Sequence, residues 1–129
     1  MPDASTVADL HDEVTCQARD MLDRIAGKWS LSAIHELAWG PRRFTELKRR
    51  LGGVSQRMLT ATLRGLERDG LVRRTVHPVV PPRVDYELTP LGVSLLDTVC
   101  RLMAWTVDHM ADIERARTDF DTVGEPKAS

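Results

Sequence analysis

The sequence has no apolar run that approaches the roughly 20 residues needed by a membrane-spanning helix. Its first ten residues also lack the basic-then-apolar order of a secretory signal. Cysteine is scarce: Cys16 and Cys100 stand far apart without a Cys-x-x-Cys spacing, which argues against a disulfide framework and against a zinc knuckle. These absences predict a protein of the reducing cytoplasm.

Catalytic and metal-binding motifs are missing as well. No Ser-His-Asp order, Gly-rich phosphate loop or paired-carboxylate motif stands out, so we predict no enzyme activity and no cofactor. A thiol enzyme using Cys16 is the remaining enzymatic hypothesis, and no base is evident to activate that thiol. Trp29, Trp39 and Trp105 lie on apolar helix faces, which predicts core packing and no aromatic effector pocket. The histidines have no ligand spacing, which predicts no metal: His11, His35, His77 and His109.

The chain does have a separation of charge, which its net value of −1 conceals. Residues 42–83 carry eleven arginines and lysines against three carboxylates, a net charge of +8. Residues 1–41 carry −4 and residues 84–129 carry −5. A cationic segment between anionic ends predicts a polyanionic partner, and a merely solvated run of charge is the alternative.

Apolar residues recur at spacings of three and four in four segments before residue 70, which predicts four helices. They lie near 18–25, 29–38, 44–51 and 56–68. Ser55 is a candidate N-cap for the fourth helix, and Asp69-Gly70 is its stop signal. Two segments with strand character follow, 71–77 and 84–88, joined by a proline-rich loop. This order predicts an α+β fold, mainly helical with a two-stranded ribbon, of the winged helix-turn-helix type.

Thr89-Pro90 supplies an N-cap and a proline at the first position of a last helix that continues to near Arg117. A helix of about 27 residues is about 40 Å long, more than a small core covers, so we predict that it meets a second copy in a homodimer. The predicted dimer contacts are Leu95, Val99, Leu102, Thr106, Met110 and Ile113. The predicted domain organisation is a flexible arm at 1–15, the winged helix with its dimerisation helix at 16–117, and a disordered tail at 118–129.

The fourth helix carries polar residues opposite its leucines. In a helix-turn-helix the N-terminal part of the second helix enters the major groove, where glutamine and arginine bind adenine and guanine through paired hydrogen bonds. The candidate base-reading residues are Gln56, Arg57, Thr60 and Arg64. Phosphate contacts add affinity without sequence information. The candidates for phosphate or wing contacts are Arg42, Arg43, Lys48, Arg49, Arg50, Ser55, Arg73, Arg74, His77 and Arg83.

Five motifs occur in order along the chain. They are GKW at 27–29, RFTEL at 43–47, SQRMLT at 55–60, LERDGLV at 66–72 and PPRVDYELTPLG at 81–92. Together they resemble the HxlR family of bacterial transcription regulators over about residues 16–105. The resemblance implies a winged-helix homodimer that binds an inverted-repeat operator as a repressor or an activator. The sequence departs from the family pattern at Gly65, His77 and Val79, and a glycine inside a helix costs about 1 kcal/mol relative to alanine.

Members of that family often have a cysteine just before the first helix, and in some of them it senses oxidants or electrophiles. The resemblance therefore makes Cys16 a candidate redox sensor, with a quiet, partly packed thiol as the alternative. Cys100 is expected to be inert, unless it forms a disulfide with Cys16 of a second copy. A different class of function also stays open, a winged-helix protein-interaction module without DNA binding.

Overall fold

The computed structural model describes residues 13–124, which form five helices and one small sheet. The helices are α1 (Glu13–Ile25), α2 (Lys28–Glu36), α3 (Phe44–Arg50), α4 (Gln56–Arg68) and α5 (Pro90–Asp119). The strands are β1 (Arg42–Arg43), β2 (Val72–His77) and β3 (Arg83–Leu88). A short 3₁₀ turn, Leu37–Trp39, follows α2, and a π-helical turn, Phe120–Gly124, follows α5. The predicted fold class, a mainly helical winged helix-turn-helix with a long last helix, is confirmed.

The sheet contains one strand more than the predicted ribbon. Its order is β1-β3-β2, with both neighbours antiparallel to the central β3. β1 pairs Arg42 with Tyr86 and Arg43 with Asp85. Two residues are too few to show the period of a strand, so this pairing leaves no signal in the sequence. Its consequence is that the start of α3 is fixed directly to the wing, which we define as β2, β3 and the loop 78–82.

The core of the helix-turn-helix is built from the predicted apolar faces. Leu59, Leu63 and Leu66 of α4 are all buried, as their spacing of three and four predicts. They join buried side chains from the other elements of residues 15–96: Ala33, Ile34, Leu37, Leu47, Leu51, Val54, Leu71, Val72 and Tyr86. The prediction of core packing is wrong for Trp39, which is 65% exposed, and for Trp105, which is 53% exposed. Their rings instead contact His35 and His109, respectively.

The end of α4 and the start of α5 are joined by hydrogen bonds. The N–H of Leu71 donates to the carbonyl of Leu66 and that of Gly70 to Glu67, a Schellman ending in which Gly70 has a φ of 78°. Thr89 caps α5: its hydroxyl accepts from the N–H of Gly92 at 3.1 Å and donates to the carbonyl of Gly70 at 2.5 Å. Its own N–H donates to the carbonyl of Leu71 at 3.0 Å. Both predicted signals, Asp69-Gly70 and Thr89-Pro90, thus act where expected.

The described residues divide into two compact units between Leu96 and Asp97. The second unit consists of the rest of α5 and the π-helical turn, and it exposes several large apolar side chains: Leu102, Met103, Trp105, Val107, Phe120 and Val123. Most of the arm predicted at 1–15 lies outside the described residues, while 13–15 begin α1. Of the tail predicted at 118–129, residues 118–124 are helical and 125–129 lie outside the description. None of the helices over 13–124 is both long and apolar enough to cross a bilayer.

Candidate nucleic-acid interface

α4 presents its polar face because both of its ends are fixed. Ser55 caps its start, where the hydroxyl oxygen accepts from the N–H of Met58 at 3.1 Å. Gly53, with a φ of 92°, reverses the chain just before that cap. With the leucines buried on one side, Arg57 and Arg64 lie exposed on the other. The predicted recognition helix therefore displays its candidate base-reading residues to solvent.

A groove of about 1060 Å³ lies between α4 and the wing, and we call it the wing groove. Its lining includes Gln56, Thr60 and Arg64 from α4, but Arg57 points elsewhere on the helix surface and is not part of it. Its full lining is Arg43, Phe44, Thr45, Gln56, Thr60, Arg64, Glu67, Arg74, Val79, Val80, Pro81, Pro82, Arg83, Val84 and Tyr86. The arginines come from β1, α4, β2 and β3, so four elements contribute positive charge to one concave surface.

Ion pairs separate the candidate phosphate-binding arginines into two groups. Arg50 donates to Glu36 at 2.5 Å, Arg73 to Glu87 at 3.1 Å, and Arg42 lies 3.7 Å from Glu46. The side chain of Arg42 is only 21% exposed, and its buried Nε has no hydrogen-bond partner within the described chain. Cations without an ion pair to any residue of 15–123 include Arg43, Lys48, Arg49, Arg57, Arg64 and Arg74. A phosphate can therefore bind the second group without first breaking an ion pair with a described residue.

The wing holds a cluster of three charged side chains. Asp85 accepts two hydrogen bonds from the guanidinium of Arg83, 3.2 Å from Nε and 3.0 Å from Nη2. The same carboxylate lies 3.0 Å from Nε2 of His77 on the neighbouring strand. The pKa of Asp85 is lowered from its ordinary value of 3.8, mainly by the hydrogen bond from Arg83. Burial raises this pKa, while the hydrogen bond from His77 and the charge of Arg83 lower it further. His77 and Arg83, both predicted wing contacts, are therefore fixed by one anion.

Several residues that line the wing groove are not predicted from the sequence. Thr45 and Glu67 line the wing groove beside the predicted residues, and the apolar loop 78–82 forms its outer wall. Phe44 and Tyr86 contact one another inside that lining, with ring centroids 6.5 Å apart. The pairing of Arg83 with Asp85 has one sequence signal, since residues two apart on a strand share a face. The other placements depend on how α4 and the wing pack, which no local pattern encodes.

The other predicted site residues lie outside this interface. Cys16 is exposed and belongs to the first turn of α1, not to a segment before the helix as expected. Cys100 is exposed as well. Among the predicted dimer contacts Val99 is only 3% exposed in the single chain, whereas Leu102 is 55% exposed. The remaining four range from half-buried to exposed: Leu95, Thr106, Met110 and Ile113.

Comparison with known proteins gives the same architecture. The HxlR-like helix-turn-helix family matches residues 24–114. The helix-turn-helix transcriptional regulator YtfH of Escherichia coli is 36% identical over 104 residues, 81% of this chain and 82% of that protein. The solved structure of the transcriptional regulator ytfH from Salmonella typhimurium is 38% identical, with a TM-score of 0.74 over 78% of this chain and 90% of that one. The redox regulator HypR in its oxidised form is 40% identical, with a TM-score of 0.66 over 72% of this chain and 96% of HypR. The chain therefore belongs to the HxlR-like helix-turn-helix family.

Proposed function

We propose that this protein is a sequence-specific DNA-binding transcription regulator that binds a pseudo-palindromic operator as a homodimer. The observation that carries the proposal is the wing groove, where arginines from four elements converge beside the exposed face of α4. A duplex with its major groove on α4 carries a phosphate backbone on either side of that helix. Because a bacterial regulator acts on DNA in the cytoplasm, we also propose a cytoplasmic location for this protein.

Base reading is assigned to the exposed face of α4. The helix has 13 residues and is about 20 Å long, and a major groove about 12 Å wide admits an α-helix. Gln56 and Thr60 lie in its first turns, which approach base edges in helix-turn-helix complexes. The Arg57 and Arg64 guanidinium groups hold no ion pair with any described residue, so both can donate to the O6 and N7 atoms of guanine.

Phosphate binding is assigned mainly to the unpaired cations around that helix. Arg43 and Arg74 line the wing groove and come from β1 and β2, the two strands that flank the central β3. Ser55 keeps an O–H donor for a phosphate while its oxygen caps α4. Arg42, Arg50 and Arg73 must exchange a carboxylate for a phosphate, so we expect each to contribute less.

The homodimer is assigned to the second unit. Leu102 and Trp105, three residues apart on one side of the helix, are each more than half exposed in the single chain, which leaves an apolar surface on the last helix without cover. A second copy of that helix is the partner that we propose. A two-fold dimer presents its two recognition helices about 34–36 Å apart, or a multiple of this distance, which sets the spacing of the operator half-sites.

We further propose that Cys16 makes DNA binding sensitive to oxidants. Its thiol is exposed in the first turn of α1, where an oxidant in solution can reach it. The similarity to the redox regulator HypR supports a response of this type. Two outcomes of oxidation are compatible with two exposed cysteines, a disulfide between two Cys16 side chains and one between Cys16 and Cys100 of the partner.

The decisive experiment is binding to the intergenic DNA beside the protein's own gene, measured by fluorescence anisotropy at near-physiological salt with a scrambled duplex as control. We expect the intergenic duplex to bind at least about 1000-fold more tightly than the scrambled one. If this site fails, a selection from random duplexes follows. A selection that enriches no sequence would overturn the proposal and favour the protein-interaction module.

The redox arm repeats the titration after diamide, which takes two electrons and two protons from a pair of thiols as they form a disulfide. If the disulfide joins two Cys16 side chains, diamide should change the DNA affinity of the wild type and of Cys100→Ser. If it joins Cys16 to Cys100, diamide should change the DNA affinity of the wild type alone. Cys16→Ser should not respond in either case. Diamide sensitivity that persists in Cys16→Ser would reject Cys16 as the sensor.

A further inference from the structure

Asp85 places a negative charge next to the surface that we propose binds DNA. If charge alone governed affinity, an anion at this position would only weaken binding. The carboxylate of Asp85 lies between His77 and Arg83, which face each other across β2 and β3. Arg83 lines the wing groove, whereas Asp85 does not. Asp85 is thus not part of the groove lining but binds Arg83, which is.

The geometry fixes the orientation of the arginine. Nε and Nη2 of Arg83 each donate to a different oxygen of Asp85, so the guanidinium plane is held by two roughly parallel bonds. The Asp85 side chain is 16% exposed, while that of Arg83 is 41% exposed. Two of the five N–H groups of Arg83 are used, which leaves Nη1 and one hydrogen of Nη2 to bind another anion.

We propose that Asp85 is a positioning residue for DNA binding, which directs the free N–H groups of Arg83 at a backbone phosphate without touching the DNA itself. The inference rests on the proposed function. An arginine that is already ordered loses less side-chain freedom on binding, which is worth about three- to tenfold in affinity per side chain. In a homodimer the gain applies to both subunits, so the fold-change in DNA affinity is squared.

Asp85 would affect DNA binding in two opposite ways, through its negative charge and through its hold on Arg83. This opposition makes the proposal testable. Removing an anion beside DNA strengthens binding if only the total charge matters, because the positive potential rises. Releasing Arg83 weakens binding if its orientation matters. Asp85→Asn keeps the shape of the side chain and removes its charge, so it measures which contribution is larger.

The matched control is Glu67→Gln. Glu67 lines the wing groove and forms no ion pair with any residue of 15–123, so its loss changes the charge by the same amount and releases no arginine. We expect Glu67→Gln to bind the operator more tightly than the wild type, because it removes an anion beside the DNA and releases no cation. We expect Asp85→Asn to bind at least about threefold more weakly, against the direction of its charge change.

Salt dependence separates positioning from a general loss of structure. Losing one phosphate contact per subunit reduces the slope of log affinity against log salt by about 0.9 for each subunit. Asp85→Asn and Arg83→Gln should both show this reduction, and the double variant should show no more than Arg83→Gln alone. Thermal unfolding of each variant checks that the wing remains folded. The double variant is the most informative here, because neither charged partner is left unpaired in it.

Asp85→Asn binding that equals or exceeds that of Glu67→Gln would overturn the proposal. Additive losses in the double variant would overturn it too, because the two residues would then act independently. A wild-type protein that binds no duplex specifically would overturn the proposed function and this inference with it. These results differ, so failure of the inference is distinguishable from failure of the proposed function.

Discussion

At the scale of single residues, the structure sorts arginines that look alike in the sequence. Arg57 projects from the recognition helix outside the wing groove, while Arg43 lines the groove, and neither forms an ion pair with a described side chain. Arg50 resembles both in the sequence and is bound to Glu36 at 2.5 Å. We therefore expect exposure and ion pairing, and not residue type alone, to determine which guanidinium can reach a base.

We therefore expect Arg57→Ala to reduce discrimination between the operator and a variant site by about 1–3 kcal/mol, since a bidentate contact to guanine would be lost. Arg43→Ala should weaken binding to every duplex by a similar factor and lower the salt slope. Anisotropy titrations on the operator and on single-base variants of it measure both effects. Equal losses of discrimination in the two variants would show that the assignment of base and phosphate contacts is wrong.

Asp85 gives a prediction about acid. Its pKa is lower in the folded chain than its ordinary value of 3.8, so its stabilising effect is complete above that value and is lost as the pH falls through the folded-state pKa. Unfolding of the wild type and of Asp85→Asn, compared between about pH 5 and about pH 2.5, should show a difference in stability that shrinks with acid. A difference in stability that stays constant over this range would contradict a lowered pKa of Asp85 in the folded chain.

Single residues also mark where sequence reasoning ends. Ser55 was identified as an N-cap because that role depends on neighbours within one turn, and its bond to Met58 confirms it. The contact of His77 with Asp85 depends on the register of two strands, in which His77 faces Arg83 across a five-residue loop. Register is set by packing over the whole domain, so the cluster could be found only in the structure.

At the scale of elements, the helices were predictable and the shortest strand was not. The leucine face of α4 and the ends of α4 and α5 follow from spacing and capping residues within a few positions. β1 is recognisable as a strand only through its partner Tyr86 in β3. The wing groove was likewise beyond the sequence, because it is a space between elements and not a property of any one of them.

Two glycines in helices give opposite predictions. A Cβ on Gly92 would stand 2.1 Å from the carbonyl oxygen of Leu71, whereas a Cβ on Gly65 would have no neighbour within 4 Å. We expect Gly92→Ala to lower the free energy of unfolding by about 1–3 kcal/mol or more, because backbone must move. Gly65→Ala should raise it by about 0.5–1 kcal/mol through helix propensity. Denaturant unfolding tests the pair, and a stable Gly92→Ala would show that the junction can relax.

At the scale of the whole molecule, the charge distribution and the last helix serve separate purposes. The net +8 of residues 42–83 is spread over β1, α3, α4 and the wing as far as Arg83, whereas α5 carries five carboxylates against three arginines, a net charge of −2. An acidic helix beside DNA would repel phosphates, so an apolar contact between copies is the more consistent use of its exposed side chains. We therefore expect the dimer contact and the operator contact to use different parts of the chain.

Leu102→Asp tests the dimer without disturbing the core, since Leu102 is 55% exposed in the single chain. Burying the new charge in an interface should raise the dimer dissociation constant by at least about tenfold, and operator affinity should fall with it. Ala104→Asp puts the same charge on the opposite side of the helix and should change neither quantity. Sedimentation velocity over a concentration series measures the association, and equal behaviour of the two variants would move the interface elsewhere.

The junction between α4 and α5 has a mechanical consequence. The carbonyls of Gly70 and Leu71 are both held by Thr89, and the Leu71 carbonyl also lies against Gly92 with no room for a methyl group. The first turn of α5 and the end of α4 are therefore joined by close backbone contacts, and we expect a rotation of one to be transmitted to the other. We therefore expect a signal that rotates this turn to reorient α4 and the side chains to which we assign base reading.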